Sequence, residues 1–172
     1  VFWKVLNSNN FNAPQNRERV FIIGFKNQNT TFKFPKNTNL KIHLNNLINK
    51  RPSKIRRISK LSKGYIFKHL KKHKDYKKIK NLNYLVANEV RKSRCNFRYD
   101  NISPCLTTKM GTGGNNVPYL VNQDRFFTLD ECLSLQGFPK NFKLINNYTE
   151  ALKQIGNSVT ISVVEKIAKK LS

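Results

Sequence analysis

The sequence predicts a mixed α/β chain, and three observations lead there. Two runs rich in aromatic and β-branched residues open it, Val1 to Leu6 and Arg19 to Phe25, joined by a polar connection. A loop dense in glycine and asparagine, Gly111 to Asn116, lies between two further strand-like runs. Beyond Arg125 the pattern changes to helices with start and stop signals.

Val1 to Leu6 reads as a short strand, and Asn7 to Pro14 as a polar turn with Asn, Ser and Pro as its breakers. Arg19 to Phe25 is almost continuously apolar, the pattern of a strand buried on both faces. The two runs form an antiparallel pair in the simplest reading. A pair cannot bury such apolar faces alone, so further strands are expected from elsewhere. With no initiator Met and a strand at its start, the chain is expected to be a piece of something larger.

The middle is basic. Lys50 to Lys80 holds fourteen Lys or Arg and one acid, Asp75, with Tyr65, Phe67 and Tyr76 interleaved. Tyr65 to Leu85 is expected to contain a helix. One sign of charge over one stretch suits a phosphate-contacting surface; a solvated basic face is the plainer alternative. Ser103 to Met110 reads as a strand entering the loop, and Val117 to Val121 as the strand leaving it. The loop lacks the Gly-Lys-Ser/Thr ending and following helix of a phosphate cradle, which leaves a hairpin tip or a site of close backbone approach.

Toward the end the local signals are clean. Thr128 and Glu131 stand three apart as a capping box, and the helix they start carries Leu129, Cys132, Leu133 and Leu135 before Gly137 and Pro139 close it. Thr149 is expected to cap a helix ending at Gly156. A last helix, Thr160 to Leu171, places Ile161, Val164, Ile167, Ala168 and Leu171 on one face.

Composition narrows the function. The chain has 172 residues, 33 Lys or Arg against 9 Asp or Glu, and a net charge of +24. Hydrophobic residues at 38% and aromatics at 11% supply a core and argue against wholesale disorder. No apolar run reaches the roughly 18 residues of a membrane span, and no secretory signal is expected. Cys95, Cys105 and Cys132 form no CxxC pair and join no His cluster, so neither a zinc site nor a disulfide framework is expected, and no metal. A reducing cytoplasm suits them. His43, His69 and His73 read as surface residues. The charge points to a polyanion, nucleic acid first and an anionic membrane second. Lys and Asn occur 24 times each, a bias that would raise surface charge in any protein and discounts the argument.

Gln15-Asn-Arg-Glu-Arg19 sits immediately before the second strand. Arg17 and Arg19, two apart on an extended approach, should point the same way, with Glu18 on the other side. Their planar donor forks suit phosphate oxygens or a base carbonyl in a pocket, and an edge ion-pair cluster is the plain alternative.

This motif and the apolar strand after it resemble the Gln-x-Arg-x-Arg motif of the DNA cytosine-5 methyltransferases. Arg125-Phe-Phe-Thr-Leu-Asp-Glu-Cys-Leu-Ser-Leu-Gln-Gly-Phe-Pro139 resembles their Arg-x-x-Thr-x-x-Glu…Leu-Gln-Gly-Phe-Pro motif, and Gln154-Ile-Gly-Asn-Ser-Val159 their closing Gly-Asn-Ser-Val. Order and spacing agree, with roughly a hundred variable residues, the family's target-recognition region, between the first and second.

The resemblance implies a C-terminal half. Residues 1–25 would be terminal strands of a Rossmann-like catalytic domain, 26–124 a mixed, mainly β target-recognition domain, and 125–172 the recognition helix and the return to the catalytic domain with its closing helix. It implies double-stranded DNA as substrate and S-adenosylmethionine as cofactor, in a cytoplasmic restriction-modification setting with no membrane. In this family a cytosine is flipped out of the duplex, a cysteine thiolate adds to C6, a glutamate supports N3, and C5 is methylated. By similarity Arg19 holds the flipped base near its O2, Arg17 and Gln15 brace the pocket, and Asn157, Ser158 and Val159 reach the cofactor. Arg125, Thr128 and Glu131 are structural. Arg91, Arg94, Arg98, Lys109, Gly113, Asn115 and Asn116 are candidates for reading bases in the major groove.

The family's Gly-rich cofactor loop, Pro-Cys-Gln nucleophile and Glu-Asn-Val motif have no counterpart in this sequence. Pro104-Cys105 is followed by Leu106 instead of Gln and falls within the recognition region, so a buried or strand-edge thiol is expected there. The chain alone is expected to be inactive, its nucleophile on an N-terminal catalytic half, in the same polypeptide or a second subunit. The alternatives are a decayed methyltransferase and a non-catalytic basic module that coats nucleic acid. A coating protein with about six phosphate contacts would lose affinity with salt at a log–log slope near −5 whatever the sequence.

Overall fold

A computed structural model describes residues 1–27, 29–112, 115–144 and 147–171. The expected opening pair forms: β1 (Phe2–Asn7) runs antiparallel to β2 (Glu18–Ile23), with Trp3 opposite Ile22 and Val5 opposite Val20. A short 3₁₀ turn, Ser8–Asn10, follows β1. One face of this pair is covered. Leu6, Phe11 and Phe32 bury against Val163 and Ile167 of the last helix, with Phe2, Phe21, Ile23, Phe25 and Phe34 packed around them. The other face is bare, so the expectation that the second strand is buried on both faces does not hold. Nothing among the described residues packs on that side, and Val20 and Ile22 are 59% and 67% exposed.

The middle region is built on α1 (Leu44–Leu47), α2 (Lys60–Lys71) and α3 (Tyr76–Ile79), followed by β3 (Val86–Asn88), β4 (Asn96–Arg98), β5 (Tyr119–Leu120) and β6 (Arg125–Phe126). The four strands form an antiparallel sheet in the order β4-β3-β5-β6. "Mainly β" is therefore corrected for this region: α2 alone has 12 residues, whereas β3 and β4 have three each and β5 two. The helix begins five residues before the expected Tyr65. Ser59 caps it by accepting from the Ser62 amide, and the sparse apolar positions Ile66 and Leu70 are buried in its span together with Ser62. That short apolar stripe packs with Ile79, Leu85, Ala87, Val90, Tyr119 and Val121 in a core of its own.

Residues 103–110 do not form the expected strand. A single parallel bridge joins Ser103 to Gln15, and Thr108–Thr112 is a 3₁₀ turn. The reason lies in where the backbone bonds go. Pro104 has no amide to offer a ladder. The Leu106 amide instead donates to Gln15 Oε1 at 2.9 Å, and its carbonyl accepts from Arg17 Nη1.

The closing helices are α4 (Leu129–Gln136), α5 (Tyr148–Asn157) and α6 (Ile161–Ala168). The capping box of α4 forms as expected, with reciprocal Thr128 and Glu131 bonds, and Gly137 ends it at φ 85°. Helix α5 is capped by Asn147, whose side chain accepts from the Glu150 amide, and not by Thr149; it runs to Asn157. Both are good capping residues, and packing of Ala151, Leu152 and Ile155 sets the phase that selects Asn147. Helix α6 buries Val163 and Ile167, whereas Val164 and Leu171 of the expected apolar face are 39% and 49% exposed. The main core lies between α4, α5 and Leu106, Met110, Val117, Leu120 and Phe127.

Candidate functional site

Gln15, Arg17 and Arg19 leave the chain just before and at the start of β2, and the three matching motifs meet at this point. Gln15 is fully buried. Its Nε2 donates to the Leu135 carbonyl at 3.4 Å and to Gln136 Oε1 at 3.3 Å, while its Oε1 takes the Leu106 amide. Gln136, the glutamine of Leu-Gln-Gly-Phe-Pro, donates to the Ile155 carbonyl at 3.0 Å and accepts from Thr160 Oγ1 at 2.9 Å. Thr160 reaches Ser8 Oγ at 2.8 Å. A continuous buried polar chain therefore joins the start of the sheet, the end of α4 and the turn between α5 and α6. Each member of such a chain is costly to leave unpaired, which fixes the mutual placement of the segments.

Arg17 is the second tie. It is 97% buried, with 3% of its surface exposed. Nη2 donates to the carbonyls of Gly156 at 3.0 Å and Ser158 at 2.6 Å, and Nη1 donates to the Leu106 carbonyl. Burial, and then the neighbouring Arg19, lower the Arg17 pKa, while Cys105 opposes them. The carbonyl cage supplies acceptors for both Nη groups, as a buried cation needs, and leaves Nε buried without a hydrogen-bond partner among the described residues.

Arg19 lies on the same side and is exposed, as the two-residue spacing predicts. Its Nη1 donates to the Glu18 carbonyl at 2.6 Å and its Nη2 to Cys105 Sγ at 3.8 Å; Arg17 Nη1 reaches the same sulfur at 3.7 Å. Glu18 faces away and accepts from Asn7 Nδ2 at 3.3 Å. Cys105 is half-buried, and the structure places it between the two arginines, a position that its sequence neighbourhood did not signal. Arg17, Arg19 and Val159 line one narrow cleft with Leu6, Ser8, Phe21, Thr160 and Val163. Asn157 and Val159 are exposed on the turn that Arg17 holds, and Ser158 is half-buried with its hydroxyl on the Ile155 carbonyl at 2.7 Å.

Glycine 156 explains why the closing motif needs its glycine. A β-carbon there would collide with the backbone of Thr107 and Thr108, so α5 can lie against residues 107–112 only without one.

Arg125, Thr128 and Glu131 form a closed unit. Arg125 and Glu131 are 1% and 4% exposed and pair bidentately at 2.7 and 2.8 Å. Glu131 also takes the amides of Asn49 and Thr128, each at 2.8 Å, and Arg125 donates to the Asn49 and Phe126 carbonyls.

The candidate base readers divide. Arg91 Nη2 donates to Asn116 Oδ1 at 3.1 Å, and Asn116 Nδ2 to the Lys109 carbonyl at 3.2 Å, so these three share one surface. Asn115, at φ 57°, bonds Ser62 Oγ at 2.9 Å. Arg94 pairs with Glu89 at 3.2 Å and Arg98 with Asp100, both on the β3–β4 hairpin. Gly113 lies outside the described residues. Arg56 and Arg57 were missed by the sequence reading. They line a cavity of about 320 Å³ with Asn115, Asn116 and Tyr148, and the Arg56 guanidinium stacks on the Tyr148 ring at 3.8 Å. The Arg-Arg pair between Ile55 and Ile58, in a stretch otherwise dominated by lysine, was the available signal.

Of the histidines, His43 is exposed as expected, but His69 bonds the Lys92 carbonyl at 3.1 Å and His73 sits edge-on to Phe97 and Tyr99. Among the described residues no cluster of His, Cys, Asp or Glu is arranged to hold a metal, and no helix is long and apolar enough to cross a membrane.

Comparison with known proteins agrees in one direction. A family model described as C-5 cytosine-specific DNA methylase matches residues 1–172. The type II methyltransferase M.Bsp6I of Bacillus sp. (strain RFL6) is 32% identical over 181 residues, covering 99% of this chain and 54% of its own length. M.DsaV of Dactylococcopsis salina is 32% identical over 180 residues, covering 99% and 47%. A solved structure of the Entamoeba histolytica methyltransferase EhMeth superposes with a TM-score of 0.60 at 16% identity, covering 99% of this chain and 52% of that one, and shares its mixed α/β fold. The chain thus spans about half the length of these relatives.

Proposed function

From the premise that this chain belongs to the C-5 cytosine-specific DNA methylase family, we propose that it is the C-terminal, DNA-recognising half of a DNA cytosine-5 methyltransferase. In this reading residues 1–25 are terminal strands of a Rossmann-like catalytic domain, residues 26–124 form the target-recognition domain, and residues 125–172 are the recognition-domain helix and the return to the catalytic domain with its closing helix. The catalytic cysteine lies on an N-terminal half. The observation that carries the reading is the bond from Arg17 to the Ser158 carbonyl, which ties the Gln-x-Arg-x-Arg motif to the Gly-Asn-Ser-Val turn in one rigid unit.

Arg19 is the residue assigned to the flipped cytosine, donating to its O2 from the exposed end of that unit. Extrusion costs roughly a few kcal/mol, and a charge-assisted hydrogen bond of about 1.5–3 kcal/mol offsets a useful part of it. Gln15 and Arg17 brace the pocket through the backbone of residues 106 and 156–158. The family uses S-adenosylmethionine, which supplies an electrophilic methyl group when bound. The exposed Asn157 carboxamide beside the exposed Val159 side chain is a donor set that fits one wall of such a ligand, with a polar end for its carboxylate and an apolar flank for its methylene chain. The base readers are assigned to the surface shared by Arg91, Lys109, Asn115 and Asn116 with Arg56 and Arg57. Arg94 and Arg98, paired with Glu89 and Asp100, are assigned to the same role from the β3–β4 hairpin. Gly113 remains assigned to the recognition loop, and Arg125, Thr128 and Glu131 to its structural support.

The experiment is tritiated methyl transfer from S-adenosylmethionine to double-stranded DNA by this chain, by its N-terminal half, and by both together. Transfer only in the mixture supports the reading. Transfer by this chain alone would contradict it, and a folded but silent mixture would favour a decayed enzyme.

A further inference from the structure

We propose that the outer face of α2, centred on Gly64 between Lys60, Lys68 and Lys71, docks the sugar-phosphate backbone of the substrate duplex beyond the bases that are read. The inference rests on the reading above, that the chain acts on double-stranded DNA, and adds a second contact surface to it.

Gly64 lies in the middle of α2, and a β-carbon there would meet nothing within 4 Å. No turn, positive φ or tight packing calls for a glycine at this position, and glycine in a helix interior costs stability. The use that remains is the close approach of a partner to the helix backbone. The Lys and Asn bias of the chain accounts for lysines anywhere, but not for this residue.

The surroundings of Gly64 give the partner's chemistry. Lys60, Gly64 and Lys68 follow at four-residue spacing, and with Lys71 they form one exposed face. Among the described residues none of these three lysines has an ion-pair partner, whereas Lys63 on the flank is held by Asp124 at 2.6 Å. Asp75, the one acid of residues 50–80, accepts from the Tyr99 hydroxyl at 2.8 Å. Leu61 and Phe67, three residues to either side of Gly64, are 68% and 43% exposed. Cations with apolar groups between them match a chain in which phosphates alternate with deoxyribose rings. Lys60 to Lys71 spans about 16 Å of helix, and a duplex carries one charge per roughly 1.7 Å of axis, so several phosphates lie within its length.

The other side of the helix decides which phosphates these are. Ser62 and His69, two turns apart, bond Asn115 Nδ2 at 2.9 Å and the Lys92 carbonyl at 3.1 Å. Asn115 belongs to the surface assigned to base reading, and Gly64 lies on the far side of the helix from both Ser62 and His69. The duplex must therefore extend past the recognition surface to reach the outer face.

The test measures affinity against salt for the complete enzyme, this chain joined with its N-terminal half. Two target duplexes are compared, one of roughly one and a half helical turns and one of roughly four. Wild type should bind the long duplex more tightly and with the steeper slope. Lys60→Gln/Lys68→Gln/Lys71→Gln should make the long-duplex log–log slope shallower by about three and leave the short duplex untouched, since each neutralised phosphate contributes about 0.9. Gly64→Gln adds no charge and strengthens the helix. It should weaken binding of the long duplex alone by roughly tenfold, the worth of one charge-assisted contact, while its thermal midpoint rises. Long-duplex binding by Gly64→Gln equal to wild type would overturn the proposal, whatever the lysines do. Equal losses on both duplexes would overturn it too, by assigning the lysines to phosphates of the read bases. Lysine-dependent capture by phosphatidylserine vesicles, with DNA binding unchanged, would assign the face to a membrane instead. In all three cases methyl transfer by the wild-type enzyme leaves the functional reading standing. Absence of transfer by the two halves together would end that reading, and this inference with it.

Discussion

Arg17 donates to the carbonyl of Ser158 at 2.6 Å across 141 residues of sequence, and through that bond and its neighbours a buried guanidinium holds the turn between α5 and α6 against the approach to β2. Its neighbour Arg19 shares Cys105 with it but leaves the protein interior. Two arginines of one motif therefore have separable jobs.

Stability should separate them. Replacing Arg17 by Met strands buried carbonyls of Leu106, Gly156 and Ser158 at about 1–3 kcal/mol for an unsatisfied group. A loss of at least about 2 kcal/mol in urea unfolding is expected. Arg19→Ala, at an exposed site, should stay within about 0.5 kcal/mol. Equal losses in the two variants would contradict the division.

The Arg125–Glu131 pair is buried on both sides. Removing one partner leaves an uncompensated charge, so Arg125→Met should cost about 3–5 kcal/mol by chemical denaturation. The double variant Arg125→Met/Glu131→Leu should recover part of that loss, since two apolar groups replace the pair without an orphan charge. No recovery would mean that the bonds to Asn49 and Phe126 matter more than the pair itself.

Gly156→Ala forces a β-carbon into the backbone of Thr107 and Thr108, which cannot swing aside as a side chain could. Overpacking of about 1–3 kcal/mol is expected, read as a lowered thermal midpoint. The same change at Gly64, where nothing lies within 4 Å, should stabilise α2 by about 0.5–1 kcal/mol.

The pH dependence has a definite sign at Asp124. Hydrogen bonds from Lys63 and then Tyr119, each at 2.6 Å, hold its carboxyl below its ordinary value of 3.8. A carboxyl more acidic in the folded state contributes stability above the unfolded value and loses it as pH falls through the folded one. Its side chain is 38% exposed, so solvent screening keeps the contribution below about 1 kcal/mol. Asp124→Asn should lower the denaturation midpoint at pH 7 and leave it unchanged in strong acid. A larger loss in acid would reverse the argument.

Cysteine reactivity should follow burial. Burial pushes the Cys95 thiol up to about 12, and raises that of fully buried Cys132 further. Iodoacetamide on the native chain should modify Cys105, which lies beside the Arg17 and Arg19 guanidiniums, before the equally half-buried Cys95. Prior labelling of Cys132 would indicate that α4 opens in solution.

What could be read from the sequence was mostly local. Thr128 and Glu131 are three residues apart, and a capping box needs nothing from the rest of the chain, so it was legible as written. The alternation of Arg17, Glu18 and Arg19 around an extended backbone was equally local. Residues 103–110 were not, because the groups that satisfy Leu106 come from Gln15 and Arg17, some ninety residues earlier. Helix α6 shows apolar residues on more of its circumference than this chain covers, so periodicity alone did not indicate that Val163 faces inward and Val164 outward. The surface proposed for recognition was legible in kind, as basic and asparagine-rich. Its membership was not, since Arg56 reaches it by stacking on Tyr148, a residue 92 positions away.

The central claim is that Arg19 grips an extruded cytosine. Its most direct measurement is steady-state methyl transfer by the complete enzyme carrying Arg19→Ala, alongside binding of non-target DNA. Loss of a charge-assisted bond of about 1.5–3 kcal/mol predicts turnover lower by roughly ten- to a hundredfold with non-target affinity unchanged. Turnover within twofold of wild type would contradict the account.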